Sequence, residues 1–211
     1  MNIEKKTITD KIFLLIFDNQ LDITSTFLRF QEFYESPEFS GKIFTLEEYQ
    51  KWYTAEKGSF SYYEDWNGFN IPSHILKPFY EGKFDPLSEK EKQLLALFEN
   101  QQGSFYIIGT HKGAKNIEAL LRHEIAHGLY YSNIEYREKI KNALVGYDTE
   151  KVKDNLRSKS GYNEDVLDDE VHAYIIDGSK SSGDIIKNVP DQLITSLQNI
   201  FNQYYIDIDV K

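Results

Sequence analysis

Three residues within one short stretch have the types and the spacing for metal chemistry: His123, Glu124 and His127, in the pattern H-E-x-x-H. On a helix, side chains four residues apart lie on one face, so the two imidazoles could bind the same zinc ion. Glu124 would point about 100° further around the helix axis, where its carboxylate can reach a water on that ion without being a ligand itself. The pattern therefore predicts a hydrolytic zinc site.

The two histidines need a further ligand, because a catalytic zinc ion usually has three protein ligands and one open position. The chain contains no cysteine, so the third ligand must be a histidine or a carboxylate. Glu170 is the main candidate, since it lies among apolar residues of an acid-rich segment, and a carboxylate directed towards a core needs a cation. Asp169 is its principal competitor, and Asp165 and His172 are further alternatives.

The segments around these residues are predicted to be two helices and a strand. Apolar residues over 117–131 indicate a central, mostly buried helix for the two histidines, and the segment around Glu170 predicts a helix that ends at Gly178. Residues 104–110 form a β-prone run directly before the histidine helix. An edge strand there could pair with an extended peptide, with Gly109 at a bulge or a close backbone contact; an ordinary glycine beside a turn is the alternative.

The rest of the chain contains mostly helix signals. Capping boxes at Thr45 and Ser88 predict two helix starts, and the apolar run 12–17 indicates a buried strand or helix segment. Together these patterns predict an α+β fold that is predominantly helical. We expect a single domain over residues 1–211. Within it, residues 1–102 would form a mostly helical N-terminal part, and residues 103–211 would carry the zinc site.

Composition excludes several classes of function. The net charge of −10 repels phosphate backbones and argues against a nucleic-acid partner. No stretch has the length and apolarity of a membrane span, and no cleavage site follows the short apolar run 12–17, so a signal peptide is not predicted. The expectation is a soluble protein, cytoplasmic by default, with secretion without a classical signal peptide left open. The sequence does not indicate an oligomeric state.

The order of strand, H-E-x-x-H helix and acidic helix over residues 104–177 resembles the gluzincin-type zinc metallopeptidases. In that family a glutamate from a later helix completes the zinc site. The resemblance implies a zincin-like core with a small sheet beside the histidine helix, Zn²⁺ as cofactor and a peptide or protein as substrate. It implies His123, His127 and Glu170 as zinc ligands. Glu124 would be the general base that takes a proton from the attacking water and later passes it to the leaving amine.

The resemblance also implies that a strand beside the site holds substrate, and Ile108, Gly109 and Thr110 occupy that place in the sequence. One position departs from the family. Well-known gluzincins often carry an aspartate one turn after the ligand glutamate, directed onto a histidine, and here Tyr174 stands there. Which residue orients His123 therefore stays open, with Tyr174 and Asp169 as candidates. The candidates for an oxyanion stabiliser are Tyr130, Tyr131, Tyr162, Tyr174 and His172.

Two other functions compete with a peptidase. The first is a catalytically silent zincin domain that binds a peptide or a partner protein and keeps zinc for stability. An intact Glu124 favours the enzyme, because a structural zinc site has no need of an acid beside a water. The second is a regulatory metalloprotease that cleaves a repressor, for which Glu170 and Ala173 are a loose match. No DNA-binding module accompanies the pattern.

Overall fold

The computed structural model describes residues 1–160, 167–178, 183, 186–187, 189–205 and 208. Over these residues the chain is α+β and predominantly helical, as the sequence predicts. It divides into two compact units, the first built on Met1–Lys115 and the second on Asn116–Asp209. The division thus falls after Lys115 and not after residue 102. The reason is that the strand following residue 102 belongs to the sheet of the first unit.

The first unit contains a four-stranded sheet in addition to its helices. Its strands are β1 (Ile3–Thr9), β2 (Ile12–Phe17), β3 (Gly68–Pro72) and β4 (Tyr106–His111), in the spatial order β1-β2-β4-β3. β2 and β4 are parallel, whereas β1 with β2 and β3 with β4 are antiparallel. The apolar run 12–17 is β2, and all six of its residues are buried. Of the two alternatives that the sequence left open, a buried strand or a buried helix segment, it is the strand.

β4 lies inside the sheet, so the expectation of an edge strand is wrong. Gly109 is paired with Leu15 of β2 on one side and with Phe69 of β3 on the other. Ile108 and Thr110 are paired on both sides in the same way, and all residues of β4 are buried. A continuous apolar run is typical of an interior strand, whereas alternation with polar residues marks a half-exposed one. These three residues therefore offer no free backbone edge to a peptide.

Gly109 is required by packing against a helix. The helix α1 (Gln20–Glu35) begins at the N-cap Asn19 and packs on the sheet. A Cβ built at Gly109 would lie 2.7 Å from Cε2 of Phe27 and 3.1 Å from Cδ1 of Ile23. One alternative that the sequence left open was a close contact at Gly109 with another backbone. The structure shows a close contact there, but with the aromatic side chain of Phe27 in α1.

The remaining helices of the first unit surround an aromatic core. They are α2 (Leu46–Lys57), α3 (Tyr62–Asp65), α4 (Lys77–Tyr80), which follows a 3-10 turn at Ser73–Leu76, and α5 (Glu89–Ala96). Both predicted capping boxes are confirmed, at Thr45 with Glu48 and at Ser88 with Glu91. Glu91 also forms a buried, bidentate ion pair with Arg29 of α1, in which both N···O distances are 2.6 Å. This pair joins α1 to α5.

The second unit is helical in the residues that the structure describes. It consists of α6 (Ile117–Ser132), α7 (Ile134–Val145), α8 (Glu150–Ser160), α9 (Leu167–Asp177) and α10 (Asp191–Asn202). α9 packs against α6, α7, α8 and α10. It is therefore the central helix of this unit. Throughout the described part of the chain, no helix has both the length and the apolar character needed to cross a membrane.

Candidate metal centre

The predicted histidine helix is α6, and it is anchored on both sides of the H-E-x-x-H pattern. Leu121, Ile125 and Leu129 are buried along it, so packing fixes its rotation. Glu124 and His127 are also buried, and His123 is half-buried. Two histidines one helical turn apart are thereby held at the inner side of a packed helix. This rigid support is what a preformed metal site needs.

α9 runs antiparallel to α6 across this face. Its first turn lies near His127, where Asp169 Oδ1 is 3.0 Å from Nδ1, and its last residue lies near His123, where Asp177 Oδ2 is 3.4 Å from Nδ1. Arg122 Nε of α6 donates a hydrogen bond to the carbonyl of Ile176, at 3.2 Å. Contacts at both ends therefore fix the register of the two helices.

Three side chains converge between the helices: His123, His127 and Glu170. The Nε2 atoms of the two histidines are 3.1 Å apart, and Glu170 Oε1 lies 3.7 Å from Nε2 of His127. One ligand atom from each residue lies within 4.8 Å of the others. For tetrahedral zinc with bonds of 2.0–2.1 Å, neighbouring ligand atoms are about 3.3 Å apart. Distances of this size suit one small metal ion.

The state of the histidine protons also favours a cation between them. Nδ1 of each ring lies close to a carboxylate, Asp177 for His123 and Asp169 for His127, and the negative charge favours the tautomers that carry the proton on Nδ1. In those neutral tautomers both Nε2 atoms carry lone pairs, and the lone pairs face each other across 3.1 Å. This arrangement is repulsive unless a proton or a metal ion lies between them.

The buried carboxylate of Glu170 also favours a cation at this place. Its Oε2 is buried and has no hydrogen-bond partner among the described residues. Burial raises the pKa of this carboxyl. An unpaired buried carboxylate oxygen costs free energy unless a cation compensates it. Two imidazole nitrogens and one carboxylate are a donor set that zinc accepts, so these residues fit the metal that the sequence predicts.

The charge balance of the site is negative. Burial alone would lower the pKa of His127, but the negative charges of Asp169, Glu170 and Glu124 outweigh burial and raise that pKa to about 10. The surroundings therefore stabilise positive charge at this imidazole. A divalent cation on Nε2 would supply that charge without protonating the ring.

The structure separates the roles of the candidate acids. Asp169 faces Nδ1 of His127 and lies outside the group of three converging side chains, whereas Glu170 belongs to it. The residue facing His123 is Asp177, which was not among the candidates; Tyr174 places its ring edge-on to the His123 ring, with centroids 4.9 Å apart. Asp177 follows Glu170 by two helical turns and so shares its face of α9. That spacing is the signal that could have identified it.

The other candidates lie elsewhere or outside the described residues. His172 is fully buried and does not belong to the group of three converging side chains, and its ring is stacked on Tyr130 at 5.1 Å between centroids. Burial lowers the pKa of His172 to about 4. Asp165, an alternative ligand, and Tyr162, an alternative oxyanion stabiliser, lie outside the described residues. The carbonyl of Tyr131 accepts a hydrogen bond from Arg137.

Comparison of the chain with protein-family models, with curated proteins and with solved structures found no match. The assignment of a function to this site therefore depends on its geometry and chemistry.

Proposed function

We propose that the protein is a zinc-dependent metallopeptidase of the gluzincin type, with a zincin-like site, which hydrolyses peptide bonds. The observation that carries the proposal is the convergence of His123, His127 and Glu170, with Glu124 buried on the same helix. Three ligands with a fourth position left for water are typical of catalytic zinc, whereas structural zinc usually has four protein ligands.

In this proposal Nε2 of His123, Nε2 of His127 and the carboxylate of Glu170 hold the ion. Zinc bound there would lower the pKa of a coordinated water and polarise a substrate carbonyl. The charges of Asp177 and Asp169, next to the two Nδ1 atoms, favour a proton on each of them, which keeps both Nε2 lone pairs available. The protein thus supplies the ligands in the correct tautomers before any ion arrives.

Glu124 is the proposed general base. Its side chain is 7% exposed, and its charge acts on both His127 and Glu170, so it lies beside the three ligands without belonging to the group. A carboxylate in this position can accept a proton from the attacking water and donate it to the leaving amine. A zinc site kept only for stability has no use for such a group, which favours the hydrolase over the silent binding domain.

Metal content tests the ligand assignment. The purified protein should contain about one zinc ion per chain, as a single three-ligand site requires. His123→Ala and Glu170→Gln should each lose most of that zinc. Glu118→Gln, which changes an exposed acid on the same helix as the histidines, should keep it. Zinc content that is unchanged in His123→Ala and Glu170→Gln would refute the site.

Cleavage of a mixed peptide library tests the catalytic role. The wild type should release new amino termini, and Glu124→Gln should retain zinc but lose cleavage by at least about 100-fold, the scale of general-base catalysis. If the wild type binds zinc and cleaves no peptide in the library, the silent binding domain becomes the better proposal. If Glu124→Gln cleaves as fast as the wild type, Glu124 is not the base.

A further inference from the structure

The carboxylate of Asp169 lies between two imidazoles. Its Oδ1 atom is 3.0 Å from Nδ1 of His127 and 3.3 Å from Nδ1 of His172. The planes of the two rings are nearly perpendicular, at 87°, with centroids 6.3 Å apart. Both rings therefore present the same nitrogen to the same oxygen, from two different helices.

His172 is inaccessible to solvent, and aromatic side chains pack against its ring. It is 0% exposed, and its ring is stacked on Tyr130 and lies 5.8 Å from the ring of Tyr136. Among the described residues, neither of its ring nitrogens has a hydrogen-bond partner, and neither has Oδ1 of Asp169. The Asp169 carboxylate, with Oδ1 3.3 Å from Nδ1, is nevertheless a charged group in direct contact with this buried ring. Burying an imidazole without such a partner would be costly.

We infer that His172 is a positioning residue for the metal centre, acting through Asp169. A proton on Nδ1 of His172 attracts the negative Oδ1 of Asp169, 3.3 Å away, and so helps to hold that carboxylate in place. Asp169 in turn favours a proton on Nδ1 of His127, 3.0 Å away, which keeps Nε2 of His127 free for the metal. The inference rests on the proposed metal site. It adds a third link, His172, to the pair of Asp169 and His127.

The competing explanation is that His172 only fills space between Tyr130 and Tyr136. Two substitutions separate these explanations because they retain different parts of the side chain. His172→Phe keeps an aromatic ring for stacking and removes the Nδ1 donor. His172→Asn loses most of the ring but can place an amide N–H near the former Nδ1 position. A positioning role predicts tighter metal binding in His172→Asn than in His172→Phe, and a packing role predicts the reverse.

The experiment measures the zinc dissociation constant by competition with a chromophoric chelator, and the thermal stability of the metal-free protein in parallel. Removing the partner of a metal-binding histidine typically costs 10–100-fold in metal affinity, so we expect His172→Phe to bind zinc at least about tenfold more weakly than the wild type. His172→Asn should recover part of that loss. The visible spectrum of the Co²⁺-substituted protein should also change in His172→Phe, because the position of His127 alters the ligand field.

A variant of Asp169 shows whether the effect passes through that residue. In an Asp169→Ala background, His172→Phe should cause no further loss of zinc affinity. An equal loss in both backgrounds would overturn the inference, as would a His172→Phe protein that binds zinc like the wild type. If His172→Phe does not fold, His172→Gln replaces it, since its longer side chain carries the amide away from the Nδ1 position. Absence of zinc binding in the wild type would refute the proposed function and this inference together, whereas wild-type binding that is unaffected by His172→Phe refutes the inference alone.

Discussion

Nδ1 of His123 lies 3.4 Å from Oδ2 of Asp177, the last residue of α9. An acid at the C-terminal end of a helix is unfavourable, because the helix dipole is negative there. Asp177 is nevertheless largely buried, with 9% of its side chain exposed. A residue that costs helix stability and faces a proposed metal ligand is better explained by a role in the proposed site than by one in the helix.

Replacing Asp177 should therefore separate metal binding from stability. We predict that Asp177→Ala lowers zinc affinity by about 10–100-fold, because His123 loses the acceptor that fixes its tautomer. The metal-free protein should keep its stability or gain about 0.3–1 kcal/mol from the helix dipole. Competition with a chelator and urea unfolding of the metal-free protein provide the two measurements. Asp168→Ala is the control on the same helix, since Asp168 pairs with Lys153 at 2.7 Å and not with a histidine; equal zinc affinities of the two variants would contradict the assignment.

Gly109 provides a test of the packing between α1 and β4. We predict that Gly109→Ala destabilises the protein by about 1–3 kcal/mol, the usual cost of overpacking a core, because the new methyl group would meet the Phe27 ring at 2.7 Å. Combining Gly109→Ala with Phe27→Leu should restore part of the lost stability. Urea unfolding measures both effects. Gly113→Ala, whose Cβ would lie 3.5 Å from the His111 ring, should change stability little. A Gly109→Ala protein as stable as the wild type would show that α1 moves aside at no cost.

Breaking the buried ion pair between Arg29 and Glu91 should destabilise the first unit. Arg29 also donates hydrogen bonds to the carbonyls of Phe84, at 2.9 Å, and Pro86, at 3.3 Å. Arg29→Met leaves the Glu91 carboxylate buried without its partner and should cost about 3–5 kcal/mol. Arg29→Lys should rescue little, because an ammonium cannot reproduce the planar, forked set of donors.

The control for this pair is the exposed ion pair of Lys92 and Glu89 on the same helix. Lys92→Met should cost no more than about 1 kcal/mol. Chemical unfolding followed by tyrosine and tryptophan fluorescence measures all three variants. Similar losses in Arg29→Met and Lys92→Met would show that burial of the first pair has no energetic consequence.

Glu32 of α1 should make stability depend on pH. Burial raises its pKa, and the hydroxyls of Tyr49 and Ser36 offset this only in part. Because the folded pKa lies above the unfolded one, the contribution of Glu32 to stability is fully present below the unfolded pKa. It is lost as the pH rises through the folded pKa. Glu32→Gln, which is neutral at every pH, should therefore raise the free energy of unfolding at about pH 7 and give no gain at about pH 4.

Urea unfolding at the two pH values measures this effect. Glu56→Gln, at an exposed position of α2, serves as the control and should give no difference between them. A gain for Glu32→Gln that is equal at both pH values would indicate a change in packing in place of a change in ionisation.

The sequence predicted those parts of the site that depend on local spacing. His123 and His127 are one helical turn apart, so their common face follows from helix geometry alone. The capping boxes at Thr45 and Ser88 are likewise local patterns, and both are confirmed. In each case the information lies within a few consecutive residues.

What the sequence did not predict depends on how separate elements meet. The partner of His123 could not be identified without the antiparallel register of α6 and α9, which brings Asp177 and not Tyr174 to its Nδ1 atom. The position of β4 inside the sheet depends on pairing with β2, far earlier in the chain. Gly109 is explained by an aromatic ring of α1. Each of these is a long-range contact, and propensity and periodicity carry no information about it.

Within the part of the chain that the structure describes, the acids opposite the two histidines belong to one short helix, α9, which supplies Asp169, Glu170 and Asp177. A shift of α9 by one residue would turn each of them by about 100° and remove all three from the histidines together. The centre therefore has no half-assembled form that keeps some of these contacts and lacks the others. Insertion or deletion of a single residue between α8 and the first turn of α9 would be tolerated only if the connecting segment absorbed it completely.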